Sequence, residues 1–173
     1  MEAAGIDATK LGEGHHPVRD ELDIDGRFTF GFVREPLSWY GSEWSYRRWL
    51  RTTGLEEMNH FYDPWLDLDF PEFLARVMDE RPGFLSWFYE TYVGPPDDPI
   101  DFIGRFETLV DDLAQALTMA GQSFDEEALR SFEPVNRSDP APPCTSELKQ
   151  RLRHVERDAY ERFYLKPAAE PIG

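Results

Sequence analysis

Six residues constrain this chain more than any others. Phe28–Val33 (FTFGFV) is almost wholly apolar, and it runs straight into Arg34, Glu35 and Pro36. A short run that is apolar at odd and even positions alike reads as a strand covered on both faces, the kind that parallel sheets contain. Pro36 suits the first position of a helix, where no N–H partner is needed, and Glu35 suits the positive end of the helix dipole. The helix is predicted to run to Arg51 and to stop near Gly54.

Weaker signals surround this segment. Met1–Ala8 reads as the tail of a helix, Leu11–Pro17 as a loop, Val18–Leu22 as a short helix and Asp25–Gly26 as a turn. Leu55–Asp69 is a polar-aromatic loop. Pro71–Glu80 is an amphipathic helix with Phe73, Leu74, Val77 and Met78 on one face. Gly83–Val93 is a second, aromatic helix, and Gly94–Pro99 is a turn. A second strand is predicted at Ile100–Phe106 and a helix at Leu109–Ala120, ending at Gly121. After a proline-rich loop, Glu133–Pro143, comes a long terminal helix, Thr145–Tyr164, capped by Thr145 or Ser146. Strands separated by helices make the expected class α/β and helix-rich, with a parallel sheet flanked by helices. Two strands are few for 173 residues, so strands are either unrecognised in the sequence or absent from it. Residues 1–166 are expected to form a single domain and 167–173 a disordered tail.

Charge narrows the partners. The net charge is −16, and lysine occurs only at Lys10, Lys149 and Lys166. Bulk electrostatics therefore oppose binding to a nucleic-acid backbone or an anionic membrane. An anionic ligand would need a local arginine site working against the global field. The single cysteine, Cys144, excludes an intrachain disulfide and a cysteine-based zinc site. No apolar run reaches the ~20 residues of a membrane span, and the N-terminus lacks a signal-peptide pattern. A soluble, cytoplasmic protein is expected.

Arg34 stands where the first strand ends, at the edge where open α/β sheets bind ligands. Its planar fork of donors matches a phosphate. Ser38, Ser42 and Ser45 follow at i, i+4 and i+7, a narrow stripe of hydroxyls on the next helix. The same residues also fit a salt-bridge arginine and serines that are solvated or packed against a neighbour.

The segment Phe32–Arg47 resembles the 3′-phosphate-binding motif of sulfotransferases that use 3′-phosphoadenosine 5′-phosphosulfate (PAPS). That pattern is a strand, then V-R-[DNE]-P, with a serine eight residues after the arginine. Arg34, Glu35, Pro36 and Ser42 match it in order and spacing. The family often has a second arginine three residues after the proline, where this chain has Trp39. Phe102–Leu109 (FIGRFETL) looks like a later strand with its R-[FY]-E-x-L segment. Val135–Ser138 (VNRS) looks like the V-N-x-S loop of the carbohydrate-type branch, and Gly14–His16 resembles a histidine segment that supplies a general base in some members.

The resemblance implies a P-loop-type sheet and transfer of a sulfuryl group from PAPS to a hydroxyl or amine of a carbohydrate or small-molecule acceptor. Arg34 and Ser42 would hold the 3′-phosphate, and Asn136, Arg137 and Ser138 would lie over the nucleotide. His16 or His15 would take the acceptor proton, with His60 a distant second and His154 a surface residue. No metal is expected. The family's other signature, a P-K-[TS]-G-[TS]-[TS] loop cradling the 5′-phosphosulfate, has no counterpart in this sequence, and the first strand is expected to be missing with it. Truncation is the favoured explanation, beside a site completed by a complementing chain or homo-oligomer and a homologue that only binds. The alternative function is thus a non-catalytic nucleotide-binding or protein-interaction module. A P-loop kinase is excluded by the lack of a Walker loop. Trp39, Tyr40, Trp44 and Tyr46 read as core or pocket wall, Arg105 and Glu107 as a structural or a functional pair. Asp97–Asp98 and Asp111–Asp112 read as solvated faces.

Overall fold

The computed structural model of the chain describes residues 24, 26–54, 60–132 and 142–165. Their order is β1 (Phe30–Val33), α1 (Pro36–Thr53), α2 (Phe70–Glu80), α3 (Phe84–Val93), β2 (Phe102–Arg105), α4 (Leu109–Met119), α5 (Glu126–Ser131), α6 (Ser146–Val155) and α7 (Arg157–Phe163). Short 3₁₀ turns occupy Asp63–Trp65 and Phe106–Thr108. The expected helix-rich α/β class is observed, with β1 and β2 paired in parallel. The described residues gather into two compact units. One holds those up to Arg34 and from Trp87 to Phe132; the other holds Glu35–Ser86 and the residues from Pro142 onward.

The first unit is built on the strand pair. Its register sets Phe30 beside Phe102, Phe32 beside Gly104 and Val33 beside Arg105. Both strands are shorter than their apolar runs. Thr29 gives its N–H and its hydroxyl to the Asp101 carboxylate, at 2.7 and 2.8 Å, while its carbonyl still accepts the Phe102 N–H at 3.1 Å. At the other end, Arg105 N–H donates to the Asp112 carboxylate at 2.6 Å and Thr108 hydroxyl to the same oxygen at 2.9 Å, which turns the chain out of β2. Asp112 therefore has a structural role rather than a purely solvated one. Helix α5, which the sequence reading passed over, is capped by Asp125 and buries Leu129 against Ala114 and Leu117 of α4. With one apolar anchor in six residues it carries no readable periodicity.

The second unit is helical. Glu35 caps α1 through the Ser38 N–H at 2.8 Å, and Gly54 ends the helix at φ 71°, a left-handed conformation that glycine adopts without a Cβ clash. The buried residues Pro36, Tyr40, Arg47 and Leu50 recur at helical spacing on one face of α1. Phe73, Leu74, Val77 and Met78 of α2 are buried as their spacing predicts. Asp69 caps α2 and Thr145 caps α6, each accepting an N–H from the first turn.

Arginines of α1 tie the Asp63–Leu68 segment to the helix. Arg47, 6% exposed, grips Asp63 with two bonds of 2.8 Å from one guanidinium nitrogen and a third of 3.2 Å. Arg51 donates to the Asp63 carbonyl and Arg48 to the Leu66 carbonyl. Beside them Tyr62 hydroxyl donates to Glu43 at 2.9 Å. Burial holds the Glu43 carboxyl above the usual glutamate range, against the pull of Tyr62 and of the Arg47 charge.

The terminal helix is not continuous as its sequence predicts. It breaks at Glu156, with φ −104° and ψ 29°. There the carboxylate turns inward and is 1% exposed. It accepts from Tyr40 hydroxyl at 2.7 Å, from Ser86 N–H and Ser86 hydroxyl at 2.8 Å each, and from Leu85 N–H at 3.1 Å. Two of these donors are first-turn amides of α3, which have no partner within their own helix. Ser86 Oγ in turn accepts from Ala159 N–H at 3.2 Å. Neither proline nor glycine marks the break, so only the partners of Glu156 explain it.

Two consequences are measurable. Glu156→Ala strands four donors, two of them buried, and should lower unfolding stability by about 3–5 kcal/mol in urea titration; a loss under about 1 kcal/mol would refute this role. Glu43 has its folded pKa raised, so the folded state holds this proton more tightly than the unfolded chain. Its contribution is full below the unfolded pKa and declines as pH rises through the raised one. The urea midpoint of Glu43→Gln relative to the parent should therefore shift in favour of the variant as pH rises above the ordinary glutamate range. A pH-independent difference would contradict the assignment.

Candidate functional site

Arg34 is the first residue past β1, and its backbone is held by one side chain. Its N–H donates to Tyr89 hydroxyl at 3.0 Å, and that hydroxyl donates to the Arg34 carbonyl at 2.5 Å. One turn further along α3, Tyr92 hydroxyl donates to the Phe32 carbonyl at 3.3 Å. Burial pushes the Tyr92 phenol well above its ordinary range, which keeps it a donor. Two tyrosines at i and i+3 of one helix thus fasten the carboxyl end of β1.

The Arg34 side chain has its own support. Its guanidinium carbon lies 4.7 Å from the centre of the Phe106 ring, a cation–π contact. The strand register explains the pairing. Val33 lies beside Arg105, so the next residues, Arg34 and Phe106, emerge together at the carboxyl edge of the parallel pair. Phe106 is 48% exposed and sits in the turn that Asp112 secures. The result is a guanidinium fixed at the edge where α/β sheets bind ligands. Planar donors in that position suit an oxyanion such as a phosphate.

Gly104 makes the pair possible. A Cβ on it would stand 2.6 and 2.7 Å from ring carbons of Phe32 and 2.9 Å from the Asp112 Cβ. The Phe32 ring thus lies across the neighbouring strand where a side chain would otherwise be.

The remaining candidates fall in different places. Ser42 lies half-buried on α1, in the second unit, with Ser38 and Ser45 on the same helix. Glu35, the acidic residue of the V-R-E-P pattern, is engaged at both oxygens: it caps α1 and accepts from Tyr160 hydroxyl at 2.5 Å. Trp39, at the position where the resembled motif often has arginine, packs edge-on to Tyr40 at 5.1 Å and tilted against Phe84 at 6.3 Å. Packing therefore accounts for that departure. Tyr40 is core, whereas Tyr46 is 51% exposed and stacks on exposed Trp49. His60 gives its backbone N–H to Asp63 at 2.7 Å and stacks its ring on Tyr62. His154 is exposed on α6. His15, His16, Asn136, Arg137 and Ser138 lie outside the described residues.

Sequence reasoning missed Tyr89 and Phe106 as parts of this site. The Tyr89–Tyr92 spacing marks a helix face, but nothing in it names the strand end that the face meets. Asp111 is solvated as expected and also pairs with exposed Arg130 at 2.6 Å. The Cys144 thiol is pushed up by partial burial, which disfavours the reactive thiolate. Among the described residues no helix is long and apolar enough to cross a membrane. A scan of protein-family models and searches of curated proteins and of solved structures find no match for this chain.

The close approach over Gly104 is testable by thermal or urea unfolding. Gly104→Ala should destabilise by about 1–3 kcal/mol, through overpacking against Phe32 and Asp112. In a Phe32→Ala background the same methyl should cost clearly less, because most of the clash is with that ring. Equal costs in the two backgrounds would show that the ring is not what excludes a side chain.

Proposed function

We propose that this chain is a sulfotransferase-type protein that binds the 3′-phosphate of PAPS through Arg34. The observation that carries the reading is the Arg34 guanidinium, supported by Phe106 on a backbone that Tyr89 holds at the carboxyl end of a parallel strand. A guanidinium supplies paired N–H donors to phosphate oxygens, and Ser42 is assigned to the same phosphate by the resembled motif alone. The match of Arg34, Glu35, Pro36 and Ser42 to the 3′-phosphate pattern selects PAPS over a nucleotide without a 3′-phosphate.

In the transfer step an acceptor hydroxyl or amine attacks the sulfur of PAPS. A new O–S or N–S bond forms while the S–O bond to the 5′-phosphate breaks. Adenosine 3′,5′-bisphosphate departs with the electron pair, and the acceptor proton passes to the imidazole of His16 or His15. Asn136, Arg137 and Ser138 would cover the nucleotide. Such a reaction depends on positioning and on stabilising charge on the leaving phosphate. The 5′-phosphosulfate loop has no counterpart in this sequence, which favours a second reading: binding by this chain, with transfer only where another segment or chain supplies the loop.

Isothermal titration with adenosine 3′,5′-bisphosphate tests the reading. The parent protein should bind, and Arg34→Ala should weaken binding about tenfold or more, the loss of a charge-assisted contact. No binding at about millimolar ligand, or binding indifferent to Arg34→Ala, would overturn it.

A further inference from the structure

Tyr89 and Phe106 approach Arg34 from different elements and secure different parts of it. Tyr89, 1% exposed on α3, bonds both the N–H and the carbonyl of Arg34 through a single hydroxyl. That fixes the peptide groups on either side of the Arg34 Cα, and with them the direction in which its Cβ leaves the chain. Phe106 lies under the guanidinium at 4.7 Å. A ring in that place favours one arrangement of a long side chain that otherwise spreads over many rotamers. The turn that carries the ring is held, because Asp112 bonds the Arg105 N–H and the Thr108 hydroxyl on either side of Phe106. A charged side chain restrained before the ligand arrives loses less freedom on binding.

We propose that Tyr89 and Phe106 are positioning residues that preorganise Arg34 for the 3′-phosphate and so set the preference for a 3′-phosphorylated nucleotide. The inference rests on the proposed function and extends it to residues outside the sequence motif. Neither side chain need touch the nucleotide; both act through Arg34. Tyr89 accounts for the backbone of the arginine and Phe106 for its cation. A phenylalanine at 89 keeps the ring and its packing but has no hydroxyl. A leucine at 106 keeps the apolar bulk but has no π face.

The experiment compares adenosine 3′,5′-bisphosphate with adenosine 5′-phosphate, which lacks only the 3′-phosphate. Titrations use the full chain, its Tyr89→Phe and Phe106→Leu variants, and Phe106→Tyr as the conservative replacement. Circular dichroism confirms that each variant is folded. Tyr89→Phe should weaken the bisphosphate about three- to tenfold, the worth of a typical hydrogen bond, and leave the monophosphate unchanged. Phe106→Leu should weaken the bisphosphate about two- to fivefold, and Phe106→Tyr should restore it. Equal weakening of both nucleotides, or no weakening of either, would overturn the positioning role while leaving the Arg34 site standing. If the parent fails to bind the bisphosphate, or Arg34→Ala has no effect, the proposed function and this extension fall together.

Discussion

The helical unit depends on one buried carboxylate. Glu156 is taken out of water, a costly transfer for a charge, and four hydrogen-bond donors stand in for the lost solvent. Those donors belong to α1 and to the first turn of α3, while the carboxylate comes from the junction of α6 and α7. Four helices therefore share one polar centre. Burial and the nearby Glu156 carboxylate raise the Tyr40 phenol far above its ordinary range, so it remains a donor. The helix break at Glu156 is the geometric cost of bringing the carboxylate to these groups.

Polar groups also shape the first unit. Tyr89 and Tyr92 fasten the carboxyl end of β1, and Asp112 fastens the turn after β2. Each bond satisfies a backbone group at a strand end, where the ladder stops providing partners. The same bonds place Arg34 and Phe106 side by side. Stability and site geometry thus share their residues, and the half-buried Arg34 sits on backbone that Tyr89 holds at both its N–H and its carbonyl.

The main elements were legible because their signals are local. An apolar run before Arg34-Glu35-Pro36 gave β1 and the start of α1, and Gly54 gave the end of α1. The 3.6-residue period of Phe73, Leu74, Val77 and Met78 gave the buried face of α2. Strand ends were less legible. The amides of Thr29 and Arg105 bond the carboxylates of Asp101 and Asp112, and Asp101 stands 72 positions from Thr29. Helix α5 was too short to show a period, and the break at Glu156 had no glycine or proline to announce it. Of the site, Arg34 was legible as a residue type at a strand end, while its supports were not.

By itself the sequence determined where most of the strands and helices form, that the class is α/β, and that an arginine follows the first strand. These follow from apolar spacing, caps and turn residues, all set within a few positions along the chain. Only the tertiary structure decided which side chains hold that arginine, why Gly104 has no side chain and why Glu156 interrupts a helix. Each of those depends on groups that are far apart in the chain and meet only once the strands are in register and the helices are packed. Hydrogen-bond geometry and close packing act on final distances, and no local pattern of residue types encodes a distance.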